Sequence, residues 1–189
     1  MIPSDEEIAG RLRRADPGAF DAFFDAYAGP LLGFLTRMLE DRAAAEDALQ
    51  ETMLRVYRRI GDYREKGAFR AWVYRIATNL ALTELRRRRW TAPGTADAGC
   101  GDPPDPASYD ALEGLLGSEQ DRLIRAGFME LPDGQRAVLL LRIRDRMSLK
   151  EIAQALCLPE GTVKSRIHHA VRSLRQFVRD REAAETEGS

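Results

Sequence analysis

Apolar residues recur along this chain at steps of three and four, with polar residues between them. That is the helical period, and no segment of useful length alternates at the strand period of two. Ser4, Asp5, Glu6 and Glu7 form a capping box that opens a short helix running to about residue 14. Asp16-Pro17 restarts the chain, with Asp16 as N-cap and Pro17 in the first helical position. Phe20, Phe23, Phe24 and Tyr27 give that helix its apolar face, and Gly29-Pro30 is expected to break it, the next helix covering 31–39. Asp41 can cap a longer helix to about residue 60, with Ala45, Leu49, Thr52, Val56 and Ile60 as its buried stripe. A polar loop over 61–67 leads into a helix over 68–90, anchored by Phe69, Val73, Ile76, Ala77 and Leu80.

The pattern then stops. Residues 91–110 hold four prolines, three glycines and four aspartates with one aromatic, too little apolar surface to offset the entropy of ordering. A mobile linker is expected there. Helices resume over about 112–129, Leu131-Pro132-Asp133 starts another around Val138 and Leu141, and residues 148–175 form a two-helix unit with a tight turn. In the second helix of that unit Val163, Ile167, Ala170, Val171, Leu174, Phe177 and Val178 make one stripe. Ser165, His168, His169, Arg172 and Arg175 project from the other side, with Lys164 and Arg166 on the flanks. A helix that anchors in a small core and offers cations to a groove is what a helix-turn-helix recognition helix requires. The expected fold is all-α: two small helical domains over 1–90 and 121–181, a flexible acidic linker over 91–120, and a disordered polar tail over 182–189.

Charge sharpens that division. The 189 residues carry a formal net charge of −1, which by itself suits no nucleic-acid binder. Residues 1–90 hold 16 Lys/Arg against 14 Asp/Glu, a net of +2. Residues 91–120 hold six acids and no base, and residues 121–189 have 13 bases against 10 acids, a net of +3. Two mildly basic blocks flank an acidic connector. The two cysteines, Cys100 and Cys157, lie far apart and make no disulfide framework, which favours a reducing compartment. No apolar run approaches the length of a membrane span and the first residues do not read as a signal peptide, so a cytoplasmic location is expected. Cys157, His168 and His169 fit no zinc spacing, and neither metal nor cofactor is expected.

Three segments together resemble the extracytoplasmic-function sigma factors, the compact two-domain group of bacterial sigma factors. They are AEDALQETMLRVYRR (45–59), AFRAWVYRIATNLALTELRRRR (68–89) and LPDGQRAVLLLR followed by SLKEIAQALCLPEGTVKSRIHHAVRSLR. The resemblance implies a protein without enzymatic activity that binds core RNA polymerase and directs it to promoters. The N-terminal domain would take the polymerase clamp and the minus-ten element, and the C-terminal domain the minus-thirty-five element. It also implies an anti-sigma partner. Such family members often have Asp where this chain has Thr83.

Each motif also has a plainer reading. Asp47, Gln50, Glu51, Leu54, Arg55 and Arg58 lie opposite the buried stripe of their helix. Periodicity alone makes them a solvated face with pairs such as Glu51–Arg55; the resemblance makes them the polymerase-docking face. Arg75, Asn79, Thr83 and Arg86 form a polar stripe extended by Arg87, Arg88 and Arg89. It is either a solvated face whose cations suit the helix C-terminus or a surface that tracks phosphates and reads bases. Tyr63, Arg64 and Lys66, with Glu65 and Gly67, occupy the loop where the resemblance implies capture of an unstacked base. Tyr63 and Trp72 are the rings available for stacking there, though Trp72 fits the core better. Thr162, Lys164, Ser165, Arg166, His168, His169 and Arg172 would face the minus-thirty-five element, the alternative being a bundle with a basic outer face.

The 30-residue connector spans at most about 100 Å stretched and roughly 30 Å as a coil, so the domains can reach separate DNA elements. Its negative charge suggests that it threads a basic polymerase channel normally used by RNA. Two other readings remain. A stand-alone helix-turn-helix regulator explains only the C-terminal block, and a sigma mimic that titrates an anti-sigma factor has no need of DNA-reading cations.

Overall fold

A computed structural model describes residues 3–64, 67–90 and 120–187. Every regular element among them is helical, and none of the helices is long and apolar enough to cross a membrane. The expected linker, apart from its last residue, lies outside the described residues, as do Glu65, Lys66 and the expected helical stretch before 120.

The first helix, α1 (Asp5–Arg13), opens on the expected capping box: the Glu7 N–H donates to Ser4 Oγ (3.3 Å) and the Ser4 N–H to Glu7 Oε2 (2.7 Å). The next start differs from expectation. Asp16 does not cap α2 (Ala19–Leu39), because Arg14 occupies its carboxylate (Nη2–Oδ2, 2.8 Å). The chain instead turns through Ala15 and Gly18, both at positive φ, and helix begins at Ala19.

The expected break at Gly29-Pro30 is absent as well, and α2 runs through both residues. A proline inside a helix loses one hydrogen bond and costs about 3 kcal/mol. Here Pro30 lies on the exposed side, while Phe23, Tyr27, Leu31, Phe34, Leu35 and Met38 bury one continuous stripe. At about 1.5–3 kcal/mol for each large buried side chain, the stripe outweighs the proline. Gly29 also helps, having no Cβ to meet the proline ring from the preceding position.

Glu40, in the left-handed conformation, ends α2, and Asp41 caps α3 (Arg42–Arg59) by accepting from the Ala44 N–H (3.1 Å). That bond, the largest influence on the group, holds the Asp41 carboxyl below its ordinary range. The stripe on α3 is close to expectation, with Ala45, Thr52, Met53 and Val56 buried and Leu49 half-buried. Thr52 satisfies its hydroxyl by donating to the Ala48 carbonyl (2.7 Å). A 3-10 turn (Ile60–Asp62) follows, then α4 (Phe69–Trp90). Helices α2, α3 and α4 pack pairwise and α1 lies across α2 and α4. An aromatic cluster of Phe23, Tyr27, Tyr63, Phe69 and Trp72 joins α2, the segment after the 3-10 turn and α4, with ring centroids 5.2–6.0 Å apart.

The remaining helices are α5 (Gln120–Glu130), α6 (Asp133–Ile143), α7 (Leu149–Leu156) and α8 (Glu160–Glu187). The chain forms two compact units. One contains α1 to α4 and takes in Lys150–Leu158; the other contains α5, α6 and α8. In the second unit α5 and α6 both pack on α8, around Ile124, Val138, Leu141, Val163, Ile167, Ala170 and Leu174. Helices α7 and α8 are joined by a turn in which Cys157 has φ 53 and the Leu158 N–H returns to the Ala153 carbonyl (3.0 Å). This is the expected helix-turn-helix connection. The tail expected to be disordered from 182 continues α8 to Glu187, its run of Ala and Glu being strong helix formers.

Candidate polymerase and nucleic-acid interfaces

Burial of the apolar side of α3 decides what its other side offers. Asp47, Gln50, Leu54, Arg55 and Arg58 are exposed and Glu51 is partly so. Arg55 and Glu51 pair at 2.6 Å across one turn, as their spacing predicts. Beside this face stands an apolar shelf. Phe20 (37% exposed), Phe24 (46%), Leu54 (44%) and Tyr57 (52%) are the exposed large hydrophobic residues among those described. Phe20 meets Tyr57 edge-on at 5.9 Å and lies 6.5 Å from Phe24. The four-residue apolar face expected on α2 is therefore divided: Phe23 and Tyr27 enter the core, while Phe20 and Phe24 stay outside it. Periodicity assigns a face, but which part of that face acquires a neighbour depends on packing.

On α4 the stripe is arranged as its spacing predicts. Asn79, Thr83 and Arg86 are exposed and Arg75 is partly so, while Val73, Ile76, Ala77 and Ala81 are buried. The Thr83 hydroxyl donates to the Asn79 carbonyl (2.7 Å), which fixes its rotamer without using the Asn79 side chain. The cations that follow are not equivalent. Glu84 receives Arg87 and Arg88, each at 2.8 Å, and Arg88 continues to Asp41 (2.9 Å) and the Leu39 carbonyl (3.2 Å). Hydrogen bonds from Arg87 and then Arg88 lower the Glu84 carboxyl to about 2. Glu84 therefore restrains two arginines of the basic run, a role that no spacing rule indicates.

The loop before α4 corrects one expectation. Tyr63 is 2% exposed and offers no ring for stacking on a base. It packs on Phe69 and Trp72, its hydroxyl donates to Glu6 Oε1 (2.6 Å), and Arg13 lies over its ring at 5.8 Å. Trp72, 8% exposed, also belongs to the core, so both rings considered for stacking are interior. Arg64 is exposed and donates to the Gly61 carbonyl, while Lys66 lies outside the described residues.

On α8, Val163, Ile167, Ala170, Val171 and Leu174 are buried. Lys164 and Arg172 are exposed, and Thr162, Ser165, Arg166, His168 and His169 partly so. The Arg166 guanidinium lies along α6, where a Cβ on Gly134 would come within 2.8 Å of its Nη1. His168 and His169 rings lie 5.8 Å apart, edge to face. His168, Val171, Arg172, Arg175 and Arg179 line a shallow groove along the helix. Arg179, one turn beyond Arg175, extends the basic stripe past the residues expected from spacing alone.

Comparison with known proteins identifies the family. Residues 23–91 match the model of sigma-70 region 2, and residues 121–174 match that of sigma-70 region 4. The chain is 33% identical over 175 residues to the RNA polymerase sigma-H factor of Pseudomonas aeruginosa, covering 88% of this chain and 89% of that protein. It is 32% identical over 176 residues to the ECF RNA polymerase sigma factor SigW of Bacillus subtilis, covering 90% and 94%. The chain belongs to the extracytoplasmic-function sigma factors. Solved structures share the sigma factor's fold. The sigma factor RpoE, in complex with the anti-sigma factor NepR from Bartonella quintana, has a TM-score of 0.65 at 19% identity, covering 86% of this chain and 98% of that one. CnrH, in complex with the cytosolic domain of CnrY, has a TM-score of 0.70 at 22% identity, covering 93% and 97%.

Proposed function

We propose that this sigma factor joins core RNA polymerase through α3, reads and opens the minus-ten element with α4, and reads the minus-thirty-five element with α8. One observation carries the assignment. In each unit a helix buries an apolar stripe and turns a polar, cationic one outward: Arg75, Asn79, Thr83 and Arg86 on α4, Lys164 and Arg172 on α8.

On α3 the charged positions beside an aromatic shelf have the composition of a protein interface, with apolar anchors rimmed by charge. Asp47 and Glu51 would meet cations of the polymerase clamp, and Leu54, Tyr57, Phe20 and Phe24 would supply the desolvated centre. On α4, Asn79 donates and accepts at a base edge while Arg75 and Arg86 hold phosphates. Extruding a base costs a few kcal/mol, so a surface that binds only the opened strand favours opening. On α8, Arg172 and the histidines face the major groove, and Lys164 and Thr162 its phosphate rim.

The protein performs no chemistry of its own in this reading and works in the cytoplasm. An anti-sigma factor that covers these surfaces is its expected regulator, by analogy with the sigma factor RpoE, solved in complex with the anti-sigma factor NepR. Run-off transcription with core polymerase on a promoter library tests the proposal. Sequence-dependent initiation that requires both proteins is the expected result. Tight, selective duplex binding by the purified chain alone would favour the stand-alone regulator instead.

A further inference from the structure

Helix α4 leaves the core before it ends. Ala81 is the last fully buried residue among its described side chains. Beyond it Leu82, Glu84, Leu85 and Arg88 are partly exposed, and Thr83, Arg86, Arg87 and Arg89 are exposed. Two members of the minus-ten stripe, Thr83 and Arg86, therefore lie on turns that apolar packing holds weakly.

A polar fork ties this end down instead. Each of the three nitrogens of the Arg88 guanidinium donates to a different acceptor. Nε donates to Glu84 Oε1 (2.8 Å) one turn back, Nη1 to the Leu39 carbonyl (3.2 Å) and Nη2 to Asp41 Oδ2 (2.9 Å). Leu39 is the last residue of α2, and its carbonyl is one of those a helix cannot satisfy from within. Asp41 is the N-cap of α3, and its other oxygen, Oδ1, accepts from the Ala44 N–H (3.1 Å). Asp47 of the docking face follows within two turns of that cap. One planar, rigid group thus joins the start of the polymerase-docking helix to the end of the minus-ten helix. Pairs as exposed as these add little to stability one by one. Three of them in a fixed geometry provide orientation.

We propose that Arg88 is a positioning residue and not a DNA contact: it clamps the exposed end of α4 to the α2–α3 junction, so that Thr83 and Arg86 are presented at a set angle to the docked α3. This rests on the reading of α3 and α4 as the polymerase and minus-ten surfaces. Without the clamp the last turns of α4 fray, and the competent fraction limits opening.

The test uses holoenzyme assembled from full-length sigma factor and core polymerase, with Arg88→Ala and Asp41→Ser beside Asn79→Ala and Arg86→Ala. Serine still caps α3 but is too short to hold the guanidinium. Permanganate reactivity at the minus-ten element reports opening, and competition against wild-type sigma factor reports core binding. At saturating core, opening by Arg88→Ala should fall about two- to fivefold, the factor that a network of such pairs can supply. Asp41→Ser should reproduce the loss, and the double variant should be no worse than either single one, since both act through one fork. Core binding should be unchanged, and Tm should move by only a few degrees. Discrimination between consensus and substituted minus-ten bases should fall. The log–log salt slope of promoter binding should stay as in wild type for Arg88→Ala, whereas Arg86→Ala should lower it by about 0.9. A slope lowered by that amount in Arg88→Ala, with Asp41→Ser normal, would make Arg88 a phosphate contact and overturn the proposal. So would a lower Tm with opening and discrimination intact, which is the mark of a stability residue. Unchanged opening by Arg88→Ala where Asn79→Ala is defective overturns the proposal alone. If Asn79→Ala and Arg86→Ala also open promoters normally, the minus-ten reading itself fails and takes the proposal with it. Should Arg88→Ala fold poorly, Arg88→Lys, which keeps the charge without the fork, carries the same comparison against Asp41→Ser.

Discussion

Replacing Gly127 by alanine sets two effects of opposite sign against each other, and the structure decides between them. Gly127 lies within α5, where alanine is favoured over glycine by about 1 kcal/mol. Its Cβ would, however, fall 2.7 Å from both Leu174 Cδ1 and Phe177 Cδ1 on α8. Carbon atoms in contact prefer about 3.5–4.0 Å, so α5 and α8 must separate or the two side chains must move. Leu174 is buried and has no room. Phe177 is half-buried and yields only by uncovering its ring. Overpacking of this kind costs about 1–3 kcal/mol. The net is a loss of about 1 kcal/mol, or roughly 4–8 °C in Tm for a unit of this size. Gly10→Ala in α1 is the control, since its Cβ meets only Arg14 Nη1 at 3.5 Å. It should raise Tm by a few degrees through the same propensity gain. Calorimetry of the full chain reads both changes. If Gly127→Ala matches Gly10→Ala in sign, the close approach of α5 to α8 is wrong. Promoter recognition should suffer with stability in Gly127→Ala, because α8 carries the minus-thirty-five residues.

Other expectations concern the surfaces directly. Asp47→Lys, or Phe24→Ser on the shelf, should abolish core binding in a pull-down while the circular dichroism spectrum stays native; retained binding would remove α3 from the interface. Glu84→Gln should release Arg87 and Arg88, tighten non-specific DNA binding, and steepen its salt dependence by about 0.9 in log–log slope for each phosphate gained. Because the Glu84 carboxyl is lowered to about 2 from 4.5, its contribution to stability is complete above pH 4.5 and is lost as pH falls towards 2. Acid titration of Glu84→Gln should lack that part of the transition, and an unchanged acid limb would count against the pairing. Arg172→Ala should change base preference at the minus-thirty-five element by about 1–3 kcal/mol at one position. An equal loss on every sequence would make Arg172 a phosphate contact.

Much of the architecture was legible in the order of residues. Helices announce themselves by period, and the exposed sides of α3, α4 and α8 follow once their apolar stripes are known. Both segments that match family models contain these faces. The misreadings have local causes. Asp16 and Pro17 make a good helix start in isolation, but Arg14 takes the carboxylate that would have capped it. Pro30 breaks an isolated helix, yet here it falls on the solvent side of a long buried stripe. Tyr63 reads as a loop aromatic until Glu6, 57 positions away, supplies its hydrogen-bond acceptor.

Sequence alone determined what nearest neighbours on a helix can express: which elements form, which side of each is apolar, and where positive charge accumulates. Tertiary structure decided which of those groups remain available. Arg87 and Arg88 are tied to Glu84, Phe20 and Phe24 are left uncovered, and the Phe69 N–H that begins α4 donates to Glu6 of α1. Each outcome depends on groups brought together across the bundle. A helical period is set by covalent geometry within a few residues, whereas a partner from another helix exists only after the chain has folded.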